Sequence, residues 1–122
     1  MHMSVFPTVS APSEIRQRLI ALADSVSAES LEDLRTLASE LVAASVVNGA
    51  RRPIDLRFDF IDSEIEGVVC DDGAAPRALL RAAERLDDSL AATVIRNLTG
   101  GRWGVDTDEA KVWFRIPVER VE

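Results

Sequence analysis

The segment Ile54–Phe60, IDLRFDF, alternates without a fault, with Ile54, Leu56, Phe58 and Phe60 on one side and Asp55, Arg57 and Asp59 on the other. A period of two specifies a strand with one wet face, and such a strand belongs in an antiparallel sheet whose apolar face must be covered. Asp62-Ser63 supplies a turn, and Ile65–Cys70 (IEGVVC) returns as the second strand of a hairpin closed by Asp71-Asp72-Gly73. Near the other end, Trp103–Val105 and Lys111–Ile116 (KVWFRI) form a closing hairpin stopped by Pro117. Trp113 runs out of phase with Val112, Phe114 and Ile116, which places it on the less covered face, where an exposed indole hints at a partner surface.

The cover must be helical. Leu31, Leu34, Ala38, Leu41, Val42 and Ser45 recur at helical spacing, Ser27 or Ser30 caps the start, and Gly49 takes the C′ position. Ser13 is read as the cap of an earlier helix with Ile15, Leu19, Ile20 and Ala23 on its apolar face. Helical stretches are also expected over 77–86 and 90–98, broken by Asp87-Asp88-Ser89 and ended by Gly100-Gly101. Val5 and Phe6, ahead of Pro7, suit a short edge strand. The order strand, helix, helix, hairpin, helices, hairpin implies an α+β fold: a two-layer sandwich with a mixed, mostly antiparallel sheet covered on one face by helices.

Composition narrows the function. A chain of 122 residues suits one domain, read here as 4–122, with Met1-His2-Met3 taken as a start or cloning remnant and set aside from the fold argument. His2 is the only histidine, which leaves histidine triads and zinc clusters without support, and no metal ligands are assigned. A net charge of −7 repels phosphate backbones, so no nucleic-acid partner is expected. No apolar run approaches a membrane span, and Cys70 is alone, so the reading is a cytoplasmic protein with no membrane partner.

Four stretches resemble a known family. They are PSEIRQRL, LEDLRTLASELVAASVVNGA, VVCDDGAAP and RWGVDTDEAKVWFRIP, and they span nearly the whole chain after Met3. Together they resemble the GHKL (histidine kinase-like, Bergerat-type) ATPase fold, closest to the anti-sigma-factor serine kinases and similar small ATP-binding proteins of actinobacteria. The resemblance implies a role for Glu40 as general base, and for Asp71 with Gly73 as the adenine-binding turn. It also implies an asparagine one turn after Glu40 as a magnesium ligand, and a glycine-rich lid ahead of the last long helix. Residues four apart share a helix face, so Glu40 and position 44 would address one ion.

The sequence departs from that pattern where the chemistry is needed. Ala44 offers no side-chain oxygen, Ala75 stands where a second glycine is expected, and Asp87-Asp88-Ser89-Leu90-Ala91 replaces the lid without a glycine. Losing two charge-assisted contacts of roughly 1.5–3 kcal/mol each weakens nucleotide binding by about 10²–10⁴-fold. The expectation is therefore a regulatory protein-interaction module with vestigial Glu40, Asp71 and Gly73, no cofactor, and a sigma factor, anti-sigma antagonist or kinase-like regulator as partner. A homodimer is compatible with it. One alternative is an ATP- and magnesium-using serine-protein kinase with an atypical site. Another is a phosphotransfer adaptor derived from a histidine kinase.

Overall fold

The computed structural model describes residues 1–77, 79 and 90–121. Along the chain come β1 (His2–Val5), α1 (Ala11–Arg18), a 3-10 turn (Leu19–Leu22), α2 (Ala28–Val47), β2 (Ile54–Ile61), β3 (Glu64–Cys70), α3 (Leu90–Thr99), β4 (Trp103–Asp106) and β5 (Lys111–Pro117). Residues 74–77 are also helical. The strands form one five-stranded sheet in the order β1-β2-β3-β5-β4. Every pairing is antiparallel, and both expected hairpins are present. The fold is α+β, with helices over one sheet face.

Alternation becomes register. Leu56 pairs with Val69 and Phe58 with Gly67, while Gly67 and Val69 pair in turn with Phe114 and Val112. These side chains, with Ile54, Ile65 and Ile116, form the sheet's share of the core. Gly67 is required by its neighbour, because a Cβ there would sit 2.1 Å from the Phe114 ring. Phe114 fills the missing side chain's place and tilts against Phe58, their centroids 6.4 Å apart.

The helical layer is built on α2, whose Leu31, Leu34, Leu37, Ala38, Leu41, Val42 and Ser45 are all buried. Ser27 is its N-cap, accepting from Ser30 N at 3.1 Å. Ser30 lies inside the helix, where its hydroxyl accepts from Glu119 N at 2.8 Å. Val26 and Arg120 form an isolated antiparallel bridge beside this contact, and the Arg120 guanidinium lies 4.4 Å over the Phe60 ring. At the far end Asn48 is the C-cap and Gly49 takes φ +89°, the conformation that favours glycine.

Three expectations change near the N-terminus. The first strand is His2–Val5 rather than Val5-Phe6: Met3 is 8% exposed and belongs to the core, whereas Phe6 is 72% exposed. The first helix begins at Ala11 with Ser10 as N-cap, so Ser13 lies within it; Pro12 is tolerated in a first turn, where its missing N–H has no partner to lose. Ile20 and Ala23 face outwards because the helix tightens to 3-10 geometry at Leu19–Leu22, turning Leu19 and Leu22 inwards instead. The helical stretch expected over 77–86 falls largely outside the described residues, and only its first residue and Leu79 are among them.

The Gly67–Phe114 fit gives a stability prediction. Gly67→Ala should destabilise the fold by about 1–3 kcal/mol in urea unfolding, because the ring must leave its place on the central strand. An unchanged midpoint would mean that the sheet yields there.

Candidate functional site

Strand β3 ends at Cys70, and the chain turns at once through Asp71-Asp72-Gly73 into the helical residues 74–77. Asp71 N–H still belongs to the sheet, donating to the Ala110 carbonyl at 3.1 Å. Its carboxylate faces the turn. Oδ1 accepts from Gly73 N at 2.6 Å, and Oδ2 accepts from Ala75 N at 2.9 Å and from the Ser45 hydroxyl at 2.7 Å. Ser45 is fully buried on α2, so this side chain joins the end of β3, the following turn and the covering helix.

Gly73 has φ +97°, and a Cβ there would lie 2.5 Å from an Arg77 guanidinium nitrogen. Both conditions favour glycine at this step. The neighbouring Asp72 performs a second attachment, with Oδ2 accepting from Arg51 N at 3.0 Å just after α2. Its Oδ1 is buried with no hydrogen-bond partner among the described residues.

The structure thus brings Asp71 and Gly73 into one hydrogen-bonded turn, as the sequence places them. Glu40 stands apart from that network. It is half-buried on α2, with no hydrogen bond or ion pair to any described residue. Residues five apart on a helix differ by about 140° in direction, so Glu40 and Ser45 do not share a face. Ala44, one turn after Glu40, packs at the edge of the core. Its carbonyl accepts from both Asn48 N at 3.1 Å and the Asn48 amide nitrogen at 2.7 Å. Asp87-Asp88-Ser89, where the lid is sought, lies outside the described residues.

Ser45 is the residue that sequence reasoning passed over. The signal was a hydroxyl at the end of an otherwise apolar stripe, since a buried hydroxyl needs a partner. Chemically, a carboxylate has about four lone-pair positions, and the chain's own donors occupy three at Asp71, leaving room for one further donor such as an amino group.

The opposite sheet face carries an open groove of about 330 Å³ lined by residues that include Asp55, Arg57, Cys70 and Lys111. In the groove Lys111 reaches Glu109 at 2.5 Å, and elsewhere on the same face Arg115 reaches Glu66 at 3.0 Å and Arg102 pairs with Glu64. Trp113 lies half-buried on this face, against Gly104 of the neighbouring strand. Trp103 instead packs on the helix side of the sheet. Among the described residues no group of acidic, cysteine or histidine side chains is placed to hold a metal ion. Among the described residues, likewise, no helix is long and apolar enough to cross a membrane.

No protein-family model matches the chain, and no curated protein matches it.

Two predictions follow from the turn and its neighbour. Asp71→Ala should cost about 2–4 kcal/mol in urea unfolding, since a buried hydroxyl and two backbone N–H groups lose their acceptor, and Ser45→Ala should cost roughly 1–2 kcal/mol. Near-zero values for both would remove the structural role given to the carboxylate. Burial pushes the Cys70 thiol up, with Lys111 opposing it. Because the thiolate is the nucleophile, alkylation of the folded protein should reach half its limiting rate at a higher pH than alkylation of the urea-unfolded chain. Equal pH profiles for the two states would contradict the upward shift.

Proposed function

We propose that this chain is a regulatory protein-interaction module, a degenerate relative of the anti-sigma-factor serine kinases with lost or strongly weakened ATP binding and no kinase activity. The observation that carries the reading is the occupancy of Asp71: its carboxylate is already engaged by Ser45, Gly73 and Ala75. In this reading the side chain that the family resemblance assigns to adenine serves the fold. Ala44 supports it further, because a methyl group contributes nothing to a magnesium ion that requires oxygen ligands. The partner is a protein of the regulatory class, such as a sigma factor, an anti-sigma antagonist or a kinase-like regulator, met in the cytoplasm.

One observation favours a second reading, an ATP-binding serine-protein kinase with an atypical site. Glu40 is half-buried and has no partner among the described residues, and Asp71 keeps one acceptor position. In that reading Glu40 is the base and magnesium is held mainly by phosphate and water.

Calorimetric titration with ATP and magnesium separates the two. The expected result is no saturable binding at micromolar nucleotide. Saturation in that range, abolished by Asp71→Asn in a variant that remains folded, would establish the second reading in place of the first.

A further inference from the structure

The two edges of the sheet differ. At one edge is β1, whose outward Ser4 carbonyl already accepts from the Arg18 guanidinium at 3.1 Å. A cation placed on an edge carbonyl blocks strand addition there. At the other edge is β4, which pairs with β5 on one side only.

The direction of the free peptide groups on β4 follows from its register. Arg115 N–H donates to the Arg102 carbonyl at 2.9 Å, which makes Arg102 and Arg115 a hydrogen-bonded pair. Such pairs recur at every second residue of an antiparallel ladder. Gly104 and Asp106, opposite Trp113 and Lys111, therefore turn their peptide groups towards β5. Trp103 and Val105 turn theirs outwards, and no hydrogen bond from a described residue reaches them.

We propose that this edge is where two copies of the chain pair, β4 against β4, antiparallel about a two-fold axis, joining their sheets into one. The strand is complementary to itself in a single register. With Gly104 facing Gly104 of the second copy on the axis, Trp103 and Val105 face each other reciprocally, so every outward peptide group of both residues finds a partner. The same register sets Arg102 opposite Asp106 of the second copy, and Asp106 opposite its Arg102. Arg102 also pairs with Glu64 of its own chain, and Asp106 Oδ1 accepts from Asp108 N and Glu109 N, which leaves Oδ2 to face the guanidinium. Opposite charges directly across a ladder stabilise it, and like charges destabilise it. Shifting by two residues either way loses both charge pairs and half of the reciprocal hydrogen bonds.

The side chains on the two faces fit the same arrangement. On the open face, the Trp113 indole lies over Gly104, where a Cβ would be 2.5 Å from Nε1. Two indoles thus flank the axis over a pair of glycines, where strand backbones come closest. On the helix side, Trp103 and Val105 are only partly covered by their own chain, and each would gain the other as a neighbour. The contact is short, so the dimer belongs to the weak, reversible class of interfaces. A second copy is favoured over an unrelated strand because the charge order along the edge is its own complement. Pairing here does not depend on whether nucleotide binds.

Sedimentation velocity on the full chain, from micromolar to sub-millimolar concentration, tests this. The expected result is a weight-average mass rising towards twice that of the monomer. Val105→Pro removes an outward N–H without touching the ladder to β5 and should leave the chain monomeric throughout, with its circular dichroism unchanged. Arg102→Asp and Asp106→Arg should each weaken self-association at least tenfold, yet an equimolar mixture of the two should dimerise, because a mixed pair restores both contacts. The proposal is overturned if the unaltered chain stays monomeric across the range, if folded Val105→Pro dimerises as well as the parent, or if the mixture associates no better than its components.

Discussion

A carboxylate half-withdrawn from water is best met by donors, and at Asp71 they come from two directions. Gly73 and Ala75 approach from the turn that follows β3, and Ser45 approaches from the helix that covers the sheet. The same oxygen, Oδ2, serves both the turn and the helix, so the end of the central strand cannot move independently of α2. Asp72 adds a neighbouring attachment to Arg51, just beyond the helix. These two acidic residues hold together the corner between the end of β3 and the covering helix. That dual demand gives the D-x-G spacing a structural reason of its own.

The parts of the fold legible in the sequence were those with a period. Ile54–Phe60 could only be a half-buried strand, and the stripe from Leu31 to Ser45 could only be its cover; both occupy those places. Boundaries set by competition between neighbours were less legible. Ser13 and Ser10 are equally good caps by composition, and the choice turned on Pro12, which fits inside the first helical turn. Met3 carries no local signal at all, and only its pairing with Leu56 draws it into the core. At the candidate site, the D-x-G spacing placed Asp71 and Gly73 together, but Ser45 lies twenty-six residues earlier and no spacing rule connects them.

Two glycines on opposite faces of the sheet perform related tasks. Gly67 admits the Phe114 ring on the helix side, and Gly104 admits the Trp113 indole on the open side. The two aromatic residues are adjacent on β5 and therefore point in opposite directions. Each lies across a ladder from a residue with no side chain, which lets a large ring lie close to the neighbouring backbone. The β5 strand thereby anchors the core with one ring and shapes the outer surface with the next.

The serine pair at the start of α2 has an entropic consequence. Ser30 accepts the Glu119 amide across a separation of eighty-nine positions, so this latch closes a loop that takes in most of the chain. Closing a loop of that length costs more chain entropy than closing a short one, and nearer contacts that have already ordered shorten the path. The seam between Val26 and Arg120 therefore costs less chain entropy to join once the hairpins and the long helix have drawn its two segments together.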